Sequence, residues 1–450
     1  MILTLYDIMG IQKFIFSTNK LKENIGASLI VSSMFKESLL NSIQDNDAYI
    51  NINDSELEGN DNTFRNDLSR YDIVNIYIAG GNALILYKNE DIMKSVNADL
   101  SEKFLRETGG LLSFAVAFTE LNEKSFTDIF KELQIGIEKN KREFIRTKPL
   151  LGIGITKEEL STGLPVQIKT HEFGKDEYLS YQSYLKREYS KNDEFEKKYL
   201  GEDHKKFFCF PKELDKLGQK SGEDYIAIVH IDGNDFGTIR NDIIQNQSDI
   251  EAALRVMNEL SDIITKIFES TMRNTIDDLI YHINRGNLDT VIERYENLPI
   301  KPLPIRPIIL NGDDITFVCN GKLGLGLAEC FLQNLYHHQE ENNYEIKGKE
   351  INFTASGGVL IINSKFPFYR AYKFTEELCR SAKIKGKIIE LSDNDQKGFW
   401  LDFHICNSDI NVNLEKTRKN MYNIRGLPDT NPIECQIEGR NDTIRKEQYH

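Results

Sequence analysis

One order of elements runs twice along the chain, and that repetition constrains the fold more than any other feature. In the first half an apolar run, Ile2–Tyr6, ends at Asp7, and a helical pattern follows over 19–40. Two short apolar runs then meet at Ala79-Gly80-Gly81-Asn82, a helical pattern covers 89–107, and an apolar run closes the unit at 112–118. In the second half the run Tyr225–Ile231 ends at Asp232, and helical patterns cover 249–283 and 289–296. Asn311-Gly312-Asp313-Asp314 then joins Pro307–Leu310 to Ile315–Val318, ahead of a helix over 325–336 and a strand over 351–362. The interval from Asp7 to Asn82 is close to that from Asp232 to Asp313, so order and spacing both read as an internal duplication.

Strand–helix–hairpin–helix–strand is the ferredoxin-like order, an antiparallel sheet with helices on one face. The expected class is therefore α+β, with two such domains in tandem at 1–150 and 221–405. A charged, helical connector is expected over 151–220 and a short polar tail over 406–450. Palms of nucleotide polymerases and nucleotidyl cyclases share this layout, but fold alone does not assign chemistry.

Composition excludes several classes. Apolar stretches such as Phe114–Phe118 are far too short to span a bilayer, and the N-terminus has no basic segment ahead of its apolar run, so a cytoplasmic protein is expected. The six cysteines are scattered without a C-x-x-C pair, which argues against zinc and against a disulfide framework. The eight histidines form neither a His-Asp dipeptide nor H-E-x-x-H. A net charge of −14 makes tight autonomous binding to nucleic acid a poor default.

The chemistry concentrates in the second copy. Asp313 and Asp314 lie at a hairpin tip, where strand alternation breaks and both carboxylates can converge, and Asp232 ends a neighbouring strand. Asn-Gly is also the common type I′ signal, so two solvated turn acids are the plain alternative. Three carboxylates on adjacent strands suit two divalent cations, Mg²⁺ or Mn²⁺, because magnesium takes one or two protein carboxylates and completes its shell with phosphate and water. The loop Asp232-Gly233-Asn234-Asp235-Phe236-Gly237 follows a strand and opens a helix, where backbone amides favour phosphate; Asp235 reads as a helix N-cap or a further metal ligand, the cap being preferred. Lys383 and Lys387 share a helix face if the helix over 369–386 persists that far, as phosphate partners or as a solvated basic end. Arg306 is a weaker phosphate candidate. Asn311, Gly312, Gly80, Gly81 and Ser28 complete the candidate nucleotide contacts, with Ser32 and Ser33 beside Ser28, although surface serines are the plainer reading of that helix. With Asn82 where an acid is needed, the first copy is expected to be catalytically silent.

The constellation resembles the large polymerase–cyclase subunit of type III CRISPR effector complexes. Asp7–Phe16, the stretch Asn19–Glu23 with Gly26-Ala27-Ser28, and Ala79-Gly80-Gly81-Asn82 are similar to that family's first palm. Asn311-Gly312-Asp313-Asp314 stands where the family carries Gly-Gly-Asp-Asp, and Asp402-Phe403-His404 is similar to a segment after its second palm. Ala382-Lys383 with Gly386-Lys387 also resembles phosphate-holding residues of GGDEF-type diguanylate cyclases. The resemblance implies synthesis of cyclic oligoadenylates from ATP, with Asp232, Asp313 and Asp314 as metal ligands and the silent palm holding a second nucleotide. It implies guide or target RNA and other effector subunits as partners. Without an HD nuclease domain ahead of the first palm, zinc cysteines in the connector, or a helical C-terminal domain, a reduced relative is expected. The rivals are a non-catalytic palm scaffold binding RNA or protein, and an enzyme making a cyclic dinucleotide or cyclic AMP.

Overall fold

A computed structural model of the chain describes residues 1–33, 71–144 and 154–406, apart from 80, 122–123, 173, 193, 246, 248, 294, 296, 347 and 393–397. Also described are 37, 39, 49–51, 414, 418, 435–437 and 445–446. The end of the helix expected over 19–40, the start of the connector, Gly80 and most of the expected tail lie outside these residues. The architecture is mixed α+β with several sheets.

The chain divides into two compact units built from interleaved segments: 1–17, 23–192 and 237–263 in the first, and 18–22, 193–236 and 264–450 in the second. The stretch expected as a connector is thus divided between them.

In the first unit, β1 (Ile2–Met9) precedes α1 (Leu21–Ser33) and the hairpin of β2 (Ile73–Ala79) and β3 (Asn82–Tyr87). Then come α2 (Glu90–Thr108), β4 (Ser113–Glu120) and α3 (Phe126–Glu143). The strands lie in the order β2–β3–β1–β4, every neighbouring pair antiparallel, with Tyr49–Asn51 parallel to β2 at the edge. Local chemistry sets the helix starts. Asn89 accepts from the Ile92 amide at 3.0 Å, satisfying a first-turn donor, and Ser125 Oγ accepts at 3.2 Å from the Asp128 amide, which also donates to the Ser125 carbonyl at 3.1 Å. One core holds Leu5, Leu84 and Leu86 of the sheet with Ile129, Phe130, Leu133 and Ile137 of α3.

The expected connector begins with a hairpin, Ile168–Glu172 with Lys175–Leu179, followed by α4 (Tyr181–Tyr189). Two buried cations dock α4 within the first unit. Arg187 Nε donates to Glu23 Oε1 of α1 at 3.0 Å, and Lys186 Nζ donates to the Phe14 carbonyl at 2.7 Å and to Ser17 Oγ at 2.8 Å. Buried charges persist only when paired in this way.

In the second unit, β5 (Tyr225–Gly233) comes first; α5 (Phe236–Gln245), from Gly237 on, and the start of the long α6 (Ile250–Asn284) fall in the first unit, and α6 enters the second from Ile264. The hairpin of β6 (Ile305–Asn311) and β7 (Asp314–Asn320) follows, then α7 (Gly324–Asn342), β8 (Ala355–Asn363), α8 (Phe368–Ser392) and β9 (Phe399–Ile405). The order β6–β7–β5–β8 is again antiparallel throughout, and β9 extends the sheet parallel to β8. As a central strand β5 is buried from Ile226 to Ile231, which is why its sequence is a continuous apolar run.

One expected element is absent. The described residues of 289–296 form turns and irregular chain: the Ile292 amide still donates to the Leu288 carbonyl, but the next, of Glu293, donates to the Gly218 carbonyl at 3.0 Å instead.

Candidate active site

The site lies within the second unit, at one end of β5 and β7. These strands pair so that Asp232 stands directly opposite Asp314, and Asn311 closes the hairpin opposite Asp314 on the other side. The loop is therefore Gly312-Asp313 alone. Gly312 has φ 60° and Asp313 does not have positive φ, the sign pattern of a type II′ turn with glycine at its first central position. The type I′ turn of the plain alternative does not form, since Asn311 is the last strand residue and not a central turn residue.

The same register corrects the alignment of the two copies. Asp7 stands opposite Asn82, so Asn82 occupies the place of Asp314, and Gly81 that of Asp313. A hairpin count made from sequence alone slips by one residue here.

The acids are closely coupled. Burial, and then the charge of Asp232, push the Asp313 carboxyl up to about 7 and the Asp314 carboxyl up to about 8. Lys383 on α8 opposes this, its Nζ lying 2.6 Å from Asp232 Oδ2 and donating to the Gly233 carbonyl at 2.7 Å. Helix α8 runs on to Ser392, so Lys383 and Lys387 do share a face. Lys387 pairs with Asp235 Oδ1 at 2.7 Å. Asp235 has φ 57°, and this ion pair is what the structure gives its carboxylate.

Among the described residues, no three acid, histidine or cysteine side chains converge closely enough to hold a metal ion unaided. The donor set nevertheless fits a hard divalent cation. Asp314 Oδ1 is a buried carboxylate oxygen with no hydrogen-bond partner among the described residues, and the ammonium of Lys383 already supplies positive charge to Asp232. A site of this kind would rely on phosphate and water for the remaining ligands.

The other candidates separate. Gly233 ends β5 with the Phe236 ring so close to its α-carbon that a Cβ would collide with it. Phe236 packs on Phe268 and Phe353, with centroids 6.0 and 5.4 Å away. The Asn234 amide donates to the Thr354 carbonyl at 2.7 Å, and its side chain bonds Thr354 and Ser356. Gly237 is an exposed residue in the first turn of α5.

Arg306 is corrected. Its side chain is fully buried, with the guanidinium 5.6 and 5.5 Å from the Phe195 and Phe210 ring centres, out of reach of any phosphate at the acid hairpin. In the first unit Ser28 is buried in α1, contrary to the surface reading, while Ser32 and Ser33 donate to the carbonyls of Leu29 and Ile30. Gly81 has φ 119° and its carbonyl accepts from the Ile8 amide at 2.7 Å.

Sequence reasoning missed His230, Thr316, Tyr372 and Glu376, which lie behind the acids. His230 Nδ1 is 3.1 Å from Thr316 Oγ1, and its ring meets Tyr372 edge-on at 5.7 Å. The charge of Glu376 bears on Asp314 and His230. Glu376 and Tyr372 precede Lys383 at helical intervals, so extending that face toward the N-terminus would have found them.

No protein-family model and no curated protein matches the chain. Solved structures do. An apo Csm1-Csm4 cassette matches at TM-score 0.50 and 17% identity, over 86% of this chain and 53% of the other. A Csm1-Csm4 cassette in complex with cA4 matches at 0.49 and 15%, over 90% and 54%, and one in complex with cA3 at 0.48 and 14%, over 94% and 58%. The chain spans about half the length of the chains it matches. At this identity the likeness is one of fold: the chain is similar to structures of the Csm1-Csm4 cassette, in keeping with the type III CRISPR resemblance of its motifs.

Proposed function

We propose that the chain is a nucleotidyltransferase of tandem ferredoxin-like palms that joins ATP into cyclic oligoadenylate, in type III CRISPR-like antiviral defence. The observation that carries this reading is the register of Asp232 opposite Asp314, with Asp313 next in the turn and Lys383 over the group. The likeness in fold to Csm1-Csm4 cassettes supports it, since such cassettes are known in complex with cA3 and cA4.

In the reaction a ribose hydroxyl oxygen bonds to the α-phosphorus of a second nucleotide, the bond to the bridging oxygen breaks, and pyrophosphate leaves. Two divalent cations, Mg²⁺ or Mn²⁺, would activate that hydroxyl and stabilise the leaving pyrophosphate. Asp232, Asp313 and Asp314 would hold them. Lys383 and Lys387 present ammonium groups on one helix face, suited to the triphosphate. Other effector subunits and RNA are the partners this reading implies.

One observation favours a second reading. The acids do not by themselves form a three-ligand cage, as a non-catalytic palm scaffold would also show. Incubation of the protein with each α-labelled NTP and Mg²⁺ or Mn²⁺, beside an Asp313→Ala/Asp314→Ala control, separates the two. A phosphatase-resistant cyclic product absent from the control is the expected result. No product, with or without RNA, together with co-purifying RNA, would establish the scaffold.

A further inference from the structure

The two units differ in what lies beneath their matched hairpins. In the second, His230 on β5 pairs across the sheet with Thr316 on β7; in the first, the same register pairs Leu5 with Leu84. Both units also place a lysine from the helix after the fourth strand, β4 or β8, on the strand-end acid. Lys141 Nζ lies 2.7 Å from Asp7 Oδ2, as Lys383 Nζ lies 2.6 Å from Asp232 Oδ2. Counting back equally from these lysines brings Phe130 to the place of Tyr372 and Gln134 to that of Glu376. Leu5, Leu84 and Phe130 are plain core residues. The unit with the acids thus buries His230, Thr316 and Tyr372 where the unit without them buries Leu5, Leu84 and Phe130. Burying polar groups is unfavourable unless they are satisfied, so a merely structural floor is better built as in the first unit.

The geometry gives the polar set a task. His230 Nδ1 lies 3.1 Å from Thr316 Oγ1 and 3.4 Å from Asp314 Oδ1, the buried oxygen that has no hydrogen-bond partner among the described residues. With its proton on Nδ1, the ring donates to Thr316, and a shift of a few tenths of an ångström brings the same N–H onto Asp314 within hydrogen-bond range. We propose that His230 and Thr316 are positioning residues for the acid hairpin: they fix the inner oxygen of Asp314 so that its outer oxygen faces a divalent cation. The Tyr372 ring, edge-on to the imidazole, holds the plane of that donor. This rests on the reading of Asp232, Asp313 and Asp314 as cation ligands.

The test is Mn²⁺ binding to the full chain by titration calorimetry, with a non-hydrolysable ATP analogue present to supply the phosphate ligands and no turnover. His230→Phe keeps the ring shape and removes the donor, and it should weaken Mn²⁺ binding about tenfold, the scale of lost support behind a metal ligand. His230→Asn returns a donor near the Nδ1 position and should bind within about threefold of wild type. Thr316→Val, nearly isosteric, should also weaken binding, and the double variant His230→Phe/Thr316→Val should be no worse than His230→Phe. In turnover assays the loss should appear as a raised KM for the cation, with kcat recovered at saturation. Unchanged Mn²⁺ affinity in His230→Phe and Thr316→Val, or equal loss in Phe and Asn variants, overturns the inference while leaving the proposed function standing. A wild-type protein that binds no Mn²⁺ even with the ATP analogue present overturns both.

Discussion

The two units share a strand order, an antiparallel register and an acid–lysine pair, and they differ at the hairpin beside that pair. Asp7–Lys141 and Asp232–Lys383 are nearly superposable in kind, with Nζ–Oδ2 distances of 2.7 and 2.6 Å. Around the first pair lie Gly81, Asn82, Leu5 and Leu84; around the second lie Asp313, Asp314, His230 and Thr316. The pair itself is therefore an architectural feature of the unit. Chemistry, in this reading, comes from what surrounds it.

The largest expected effect would break the comparison outright. Asp313→Ala/Asp314→Ala should lower cyclic product formation by roughly a thousandfold or more, given what positioned metals contribute to such reactions, whereas Asp7→Asn should change it less than tenfold; product counted by mass spectrometry decides. Comparable losses from both would make the first unit a partner in the chemistry and not a silent copy.

A second comparison sets Lys383→Met against Lys141→Met. Each leaves a half-buried carboxylate without its cation and should lower the melting temperature by about 3–6 °C, on the scale of one to two kcal/mol for units of this size. Mg²⁺ should restore the loss more fully for Lys383→Met, where Asp313 and Asp314 stand with Asp232, than for Lys141→Met, where Glu138 is the acid that shares the lysine with Asp7. Melts with and without Mg²⁺ measure this, and equal rescue in both variants would remove the distinction between the units.

The third effect is a pH dependence. Folded Asp313 and Asp314 carry carboxyls near 7 and 8, well above the usual aspartate value, so between pH 4 and 8 the folded state binds more protons than the unfolded one. Stability contributed by these groups is present at low pH and is lost as pH rises through 7 and 8. Asp7 is also raised, by burial against the opposing pull of Lys141, and its sign is the same. Mg²⁺ should therefore raise the melting temperature more at pH 8.5 than at pH 5.5 in wild type, by on the order of 5 °C at a hundredfold excess over Kd. That difference should vanish in Asp313→Asn/Asp314→Asn.

The smallest effect belongs to Lys387. Its pair with Asp235 is largely exposed, and pairs of this kind contribute about 0–1 kcal/mol. Lys387→Ala should leave the melting temperature within about 1 °C and raise the KM for ATP several-fold. An unchanged KM would assign it to the solvated end of the helix.

Much of the fold was legible because burial writes itself into periodicity. The run Tyr225–Ile231 could only be a strand buried on both faces, and the hairpins, α2, α7 and most of α8 followed from their patterns. The acids of the site were legible for the same reason, as carboxylates interrupting apolar runs. Turn type and register were not, since a slip of one residue leaves the sequence pattern almost unchanged while moving Asn82 from the equivalent of Asp313 to the equivalent of Asp314. Arg306 misled because what surrounds it, Phe195 and Phe210, lies far away in sequence. The polar residues behind Asp314 escaped notice because a histidine or threonine within an apolar strand looks like ordinary core until its cross-strand neighbour is known.

Gly81 gives the comparison a direction. Its backbone angle of 119° is one that an aspartate side chain tolerates poorly, and a Cβ there would lie 2.8 Å from the Ile11 side chain. Asp313, at the same place in the other hairpin, has no such angle. Two acids placed in the first hairpin would therefore meet a turn whose backbone does not suit them, with Leu5 and Leu84 beneath it. On the proposed reading the backbone of that hairpin, as well as its side chains, would keep the first unit from the chemistry, and equipping it with acids would require several changes made together.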